Sequence, residues 1–413
     1  MTKALYICYF GVDEPLVSSQ VLPYLREIAG RDVQVSLLTF EKDADSKWDG
    51  ESLRKKREEL LGSGIEWSHL PYHKRPSVPA TVYDILVGAF VISRMIRERG
   101  IGVLHARVHV PAMMAVLARL MSGEKGVRVI FDIRGFFPEE YVDAGIWRRD
   151  GLVFRAVKAV ERWLLSRSDG FVVLTEKAKT LLADGMRGRP VEVIPCCVDT
   201  ERFAEAKLED RRQLRQDLGI GDRLVAVYVG SFGGWYLTEE TFVAFQELRK
   251  MRPDAFAMIL TQSDPKDISA RIAAAGFESD DFMVRKIPTS EMPGYLSCAD
   301  IAFSFIKPCY SKLASSPTKN AEYLACGLPI LANDGIGDTT EQLTEDRTGV
   351  VISDLTRSGI RLGLEELLRM VDSNPDIASR CRVSAETRFS LKKLGGPAYR
   401  RLYKAVIDRG GDA

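Results

Sequence analysis

The chain has 413 residues, 46% of them hydrophobic and 28% charged, with a formal net charge of +1. That length suits two domains of ordinary globular composition, and the near-neutral charge excludes a bulk electrostatic attraction to nucleic acid. Seven cysteines without C-x-x-C spacing and only four histidines argue against a structural zinc site and suit free thiols in a reducing cytoplasm. The N-terminal "MTKALYICYFG" enters a strand-like run at once, without the layout of a signal peptide. No apolar stretch is expected to reach the about 18 residues of a membrane span. The nearest, "DILVGAFVISRMI", is broken by Arg94.

In chain order, "KALYICYF" reads as strand, "SSQVLPYLREIAG" as helix and "DVQVSLLTFE" as strand. A charged helix is predicted over Ser46–Gly62, then "GIEWSHLPY", then a helix over Thr81–Arg99. "GVLHARV" (strand), "VPAMMAVLARLM" (helix) and "VRVIFDIRG" (strand) follow, with an amphipathic helix over Gly151–Arg167. "GFVVLTE", "KAKTLLADGM" and "VEVIPCCVD" close this half. After a charged stretch near Asp199–Glu209 the alternation restarts. Strands "RLVAVYVG", "AFAMILTQ", "DFMVRKI" and "DIAFSFIK" alternate with helices, including Glu239–Met251. Two further helices are expected near Ile360–Ser373 and Asp376–Phe389, and "GPAYRRLYKAVIDRG" ends the chain.

Strands alternating with helices mean parallel sheets covered on both faces. The expected fold is α/β, with two tandem Rossmann-like, doubly wound domains facing across a cleft. Expected boundaries are 1–198 for the first domain, 199–390 for the second and 391–413 for a final helix. Tyr399, Leu402, Tyr403 and Val406 give that last helix an apolar stripe.

The segment "SSPTKNAEYLACGLPILAN", Ser315–Asn333, is the most informative. Ser316 suits an N-cap and Pro317 the first helical position. Gly327 and Pro329 stop the helix, and "PILA" reads as a buried strand. The free N–H groups of such a helix start attract anions, phosphate above all. Thr318 and Lys319 add a hydroxyl and an ammonium there. Glu322 follows them on the same face, about 5 Å further along the axis, where it could accept from a sugar hydroxyl. A plain capped helix with a Lys–Glu pair is the competing reading.

Asp43-Ala44-Asp45 is a D-x-D of the kind that holds a divalent metal, but its Lys-, Asp- and Ser-rich surroundings read as a solvated loop. No metal is expected. "YFGVDEPLVSS" has one glycine where a dinucleotide fingerprint needs three, and no P-loop pattern occurs. "WRRDGLVFRAVKAVERWLLSR" sets Arg and Lys beside Trp, Phe and Leu, which would let a helix lie on an anionic membrane and reach a lipid-linked acceptor. A helix packed on its own sheet is the preferred reading.

Together these residues resemble the retaining GT-B glycosyltransferases of family 4, over nearly the whole chain. "VEVIPCCVDTERF" looks like that family's hinge segment, and "VAVYVGSFGGWY" its first C-domain strand and glycine loop. "SPTKNAEYLACGLPI" resembles the E-x7-E region, with Glu322 at the second Glu and Ala314 at the first. "VLHARVHVPA" and "VIFDIRGFFPEE" are similar to the HxH-like and T-x-H-G-like strand ends, with Arg107 and Arg134 where the family has His. The Arg and Lys usual after the first C-domain strand fall near Ser231 and Tyr236, so Lys319, with Lys312, is the expected substitute.

The resemblance implies transfer of a hexose-like sugar from a nucleotide-diphosphate sugar, without a metal, to a saccharide, lipid-linked or small-molecule acceptor. It also implies retention by front-face attack, a role in polysaccharide biosynthesis, an acceptor domain over 1–198, a nucleotide-sugar domain over 199–390 and a last helix, 391–413, that crosses back to the first; the protein is expected in the cytoplasm, with peripheral contact at the inner membrane face. Binding without catalysis is the alternative, since Ala314 replaces a sugar-holding Glu. Donor-binding candidates are Gly11, Gly230, Ser231, Gly233, Ser316, Pro317, Thr318, Lys319 and Glu322. Gly11 and the "GSFGG" loop (Gly230–Gly234) would let backbone approach the diphosphate; turn glycines are the competing reading, and the loop's place after a strand in a cleft favours binding. Catalytic candidates are His105, Arg107 and Arg134, beside Asp132, at strand ends facing sugar and acceptor; Asp132 and Arg134 could instead form a strand-end salt bridge.

Overall fold

The computed structural model describes all residues except 31, 43–47, 205–207 and 410–413. The Asp43–Asp45 D-x-D and the predicted helix start at Ser46 lie outside the described residues; the helix is seen over Gly50–Gly62. The chain divides into two compact units, Met1–Pro195 with Leu391–Ala413, and Cys196–Ser390. The division precedes residue 198 because Val198 N–H donates to Phe389 O at 2.9 Å, tying this segment to the end of the second unit.

The first unit holds seven strands: β1 (Thr2–Ile7), β2 (Val33–Glu41), β3 (Ile65–Pro71), β4 (Val103–Arg107), β5 (Arg128–Asp132), β6 (Gly170–Val173) and β7 (Val191–Val193). All pair in parallel, in the order β3-β2-β1-β4-β5-β6-β7. The second unit has β8 (Val225–Val229), β9 (Phe256–Leu260), β10 (Phe282–Arg285), β11 (Ile301–Ser304), β12 (Ile330–Asn333) and β13 (Gly349–Ile352). They too are parallel, in the order β10-β9-β8-β11-β12-β13. Strands buried on both faces need apolar residues at every position, and every residue of β8, β9 and β11 is buried. The order of each sheet reverses once, beside β1 and β4 in the first and beside β8 and β11 in the second.

The local differences from expectation follow backbone chemistry. "SSQVLPYLREIAG" forms two helices, Pro15–Gln20 and Leu22–Ile28, broken at Val21. Pro23 lacks the N–H that a continuous helix would need there. The helix expected from Thr81 starts at Ser77, because Pro79 falls in the first turn where no N–H is required.

This helix, Ser77–Arg99, also corrects the reading that no stretch suffices for a membrane span: it is long and apolar enough by length and composition. It buries Ala80, Gly88, Ala89, Ile92 and Ile96 within the first unit. The amphipathic helix Leu152–Arg167 buries Leu164 and Leu165 and leaves Leu152 and Val153 exposed.

The last helix, Gly396–Asp408, belongs to the first unit. Its Tyr399, Leu402, Tyr403 and Val406 are 1–2% exposed, and burying each contributes about 1.5–3 kcal/mol. The fit is close: a Cβ on Gly170 of β6 would stand 2.5 Å from Val406 Cγ2.

Candidate functional site

Ligands of open α/β sheets bind beyond the carboxyl ends of the strands, where the strand order reverses. In the second unit a cavity of about 350 Å³ opens there, between the segments leaving β8 and β11, which contribute Val229, Gly230 and Ile306. The helix Thr318–Cys326 points its first turn into it: Thr318, Lys319 and Glu322 all line the cavity. The helix begins one residue later than predicted. Pro317, in extended conformation, takes the N-cap position and makes no side-chain cap. Ser316 is not the cap; its Oγ accepts from Cys196 N–H at 3.1 Å, though the residue still lines the cavity. The first N–H groups of the helix are thus left without a capping side chain, the condition that favours an anion. Gly327, at φ 87°, ends the helix as predicted.

Lys319 is the central group. The residue is 7% exposed, and its Nζ lies 4.4 Å from the ring centroids of both Tyr228 and Tyr236. It makes no hydrogen bond. Two ring faces partly offset the lost hydration of an ammonium, yet burial pulls its pKa down to about 7, with Glu322 opposing. Tyr228 comes from β8 itself, and its Oη–H donates to Ser231 O at 2.8 Å, which fixes the glycine loop. Gly230 has φ 135°, and a Cβ there would stand 3.4 Å from Lys319 Nζ. Glycine is required at this point by both backbone and space.

Glu322 sits one turn in, partly open to the cavity. Burial pushes its carboxyl up to about 7, against Arg202 and Lys319. A second cation, Lys312, lies with Nζ 4.0 Å from the Trp235 ring centroid, and both residues line the cavity. Ser231 and Gly233 are exposed and outside the lining. Gly233 N–H is bound to Thr238 Oγ1 at 2.9 Å, so this glycine serves the turn.

The first-unit candidates are placed differently from expectation. His105 is wholly buried in mid-β4 beneath the last helix, with Nδ1 2.9 Å from Tyr403 Oη and Nε2 3.5 Å from Asp132 Oδ2. Burial lowers its pKa, with Asp132 opposing. Arg107 and Arg134 keep only 4% and 6% of their side-chain surfaces exposed. They stand 3.9 and 3.6 Å from Asp132 and hold Gln20 between them. Burial alone would raise the Asp132 pKa, but Arg134, His105 and Arg107 outweigh it and hold the carboxyl well below its usual range. The two arginines are therefore the counter-charges of a buried carboxylate.

Gly11 leaves room for a side chain rather than a ligand. A Cβ there would meet Glu41 Oε2 at 2.7 Å, and the buried Glu41 accepts from Val12 N–H at 2.8 Å and Thr39 Oγ1–H at 2.6 Å. Val108, after β4, takes φ 63°, an unusual conformation for a β-branched residue. Among the described residues no three His, Cys, Asp or Glu side chains converge as a metal site requires.

Two parallel-sheet α/β units, the second with a cationic cavity at its switch point, are the architecture of a GT-B protein. The chain matches the model of "Glycosyltransferase Family 4" over residues 17–202 and that of "Glycosyl transferases group 1" over residues 210–380. It belongs to the group 1 glycosyltransferases of GT-B fold. A curated relative, 2-deoxystreptamine glucosyltransferase of Streptomyces kanamyceticus, is 29% identical over 199 residues, 46% of this chain. The match spans about half (49%) of that relative's length. Among solved structures, sucrose-phosphate synthase from Thermosynechococcus elongatus superposes with a TM-score of 0.71 at 13% identity, covering 98% of this chain and 100% of that one. Anabaena Alr3699/HepE in complex with UDP gives 0.67 at 14% identity, with 98% and 100% covered. These structural likenesses are of fold.

Proposed function

We propose that the protein transfers a sugar from a nucleoside-diphosphate sugar to an acceptor hydroxyl, with the second-unit cavity holding the donor. The observation that carries this reading is Lys319: a buried ammonium, cupped by two tyrosines and without a hydrogen-bond partner, at the start of an uncapped helix. Breaking the glycosidic C–O bond leaves negative charge on the departing diphosphate, and stabilising that charge is the main catalytic task. Lys319, the N–H groups of Thr318 and Lys319, and Lys312 in the cavity lining supply positive charge for it. Glu322 accepts from the ribose hydroxyls. The Alr3699/HepE fold neighbour was solved with UDP-glucose as well as UDP, and the curated relative is named a glucosyltransferase, which supports a uridine donor and a hexose.

In this reading no metal is needed, because fixed cationic groups take its place. Transfer proceeds with retention: the acceptor oxygen bonds to the anomeric carbon on the face that the diphosphate leaves, and its proton passes to the departing phosphate. The acceptor is a saccharide or a lipid-linked glycan, and the protein works in the cytoplasm, peripherally at the inner membrane face. A second reading, sugar-nucleotide binding without transfer, rests on Ala314, which is 2% exposed and offers no polar atom where the family carries Glu.

One screen tests both. Nucleotide sugars differing in base and hexose are incubated with the protein, with and without excess EDTA, and released nucleotide is measured. Slow hydrolysis of at least one donor, unaffected by EDTA, is expected. Tight binding with no hydrolysis favours the second reading; abolition by EDTA defeats metal independence.

A further inference from the structure

At the carboxyl edge of the first unit's sheet, the segments leaving β1 and β3 meet over a carboxylate that the donor cavity does not involve. Asp84, in the second turn of the helix Ser77–Arg99, is 1% exposed. Its Oδ2 accepts from Tyr9 Oη–H at 2.6 Å and from His73 N–H at 3.1 Å. Its Oδ1 lies 2.5 Å from His73 Nδ1. A carboxylate can only accept, so Nδ1 donates to Asp84 and Nε2 is the ring's other polar atom. The His73 side chain keeps 44% of its surface exposed.

Aromatic residues flank the His73–Asp84 pair. Tyr83, 55% exposed, stands edge-on to the His73 ring at 5.1 Å and 88°. Tyr72 packs edge-on against Tyr9 at 5.1 Å. The register that pairs Glu41 with Pro71 brings Lys42 beside Tyr72, with Nζ 5.8 Å from its ring centroid. Half-exposed aromatic rings beside a positioned imidazole nitrogen match a sugar ring, which has apolar C–H faces and outward hydroxyls. Carboxyl strand ends are also where α/β sheets take ligands.

We propose that this cluster is a saccharide subsite for the acceptor: His73 Nε2 hydrogen-bonds a hydroxyl, the sugar ring lies against Tyr83, and Asp84 positions the imidazole. The inference deepens the transferase reading and rests on it. The rival explanation is a structural staple, in which Asp84 merely ties the β3 exit to the helix.

His73→Asn separates the two, because its side-chain NH₂ keeps a donor near Nδ1 while the outer nitrogen is lost. The full chain is titrated by saturation-transfer NMR with methyl hexosides, methyl hexosaminides and 2-deoxystreptamine, and separately with UDP. At least one saccharide binds the wild type. H73N weakens that binding about tenfold or more, the loss of one good hydrogen bond, while UDP binding and melting temperature hold. His73→Gln, which restores a polar atom near Nε2, recovers part of the affinity, and Tyr83→Ala weakens it without loss of stability. Saccharide binding by none of the panel, or equal affinity of wild type and H73N, overturns the proposal. Failure of the wild type to bind UDP defeats the donor reading instead, and the saccharide arm distinguishes the two.

Discussion

Replacing Lys319 by Met keeps the alkyl stem between Tyr228 and Tyr236 and deletes only the charge. Two effects then pull apart. If the ammonium contacts a diphosphate, its loss removes a charge-assisted interaction of about 1.5–3 kcal/mol, roughly a tenfold to hundredfold rise in the Kd for UDP. Folding responds in the other direction. The fall of the Lys319 pKa from 10.5 to about 7 on burial corresponds to roughly 5 kcal/mol against the charged form. The two ring contacts return only about 2 kcal/mol at most. K319M should therefore fold at least as stably as the wild type, most visibly below pH 7, where the wild type must bury a charge. Calorimetric titration with UDP and a thermal melt at pH 6.5 give both numbers. An unchanged Kd together with a lower melting temperature would refute the reasoning, since it would make Lys319 a structural cation.

Three further outcomes are expected. Glu322→Gln should raise the Kd for UDP while the melting temperature at neutral pH stays equal to or rises above that of the wild type, because a neutral amide escapes the cost of burying a carboxylate; a large loss of stability with normal binding would make Glu322 an ordinary helix residue. Free Lys319 loses its proton as pH rises through about 7, far below the unfolded value, so it adds stability as pH rises from about 7 to 10.5. Glu322 is shifted upward, so its contribution is fullest below 4.5 and is lost as pH rises through about 7. A bound diphosphate favours charged Lys319, so UDP binding at pH 8 should take up a proton, read as different apparent enthalpies in Tris and HEPES and absent in K319M. Gly11→Ala should cost about 1–3 kcal/mol in urea denaturation by overpacking against Glu41, with UDP affinity unaltered; the reverse pattern would restore Gly11 to the donor site.

The strands of both units were legible because parallel strands buried on both faces are unbroken apolar runs, as "VAVYV" and "FAMIL" are. Lys319 and Glu322 were legible too, because three-residue spacing on a helix that follows a strand fixes both face and edge. The tyrosine cup was not. Tyr228 faces Lys319 through the pleat of β8, and Tyr236 arrives from the loop beyond it; no local pattern links these to residue 319. His105 was misread for a related reason: its motif is local, but its burial depends on Tyr403, 298 residues away. The His73–Asp84 pair, 11 residues apart, joins a strand exit to a helix interior across a turn, and neither residue type announces the other.

The return of the last helix to the first unit has a consequence for biosynthesis. A ribosome finishes Cys196–Ser390 as one uninterrupted stretch, so that unit can complete its core as it emerges. The first unit cannot. Until Gly396–Asp408 appears, β4 and β5 lack their cover, and the charges of Asp132, Arg107 and Arg134 lie beside bare apolar surface. At the usual 5–20 residues per second the delay is roughly 10–40 s. During that interval the earlier-made half is the one exposed to chaperones and to aggregation, and a nascent chain stalled before residue 396 should show it as the protease-sensitive part.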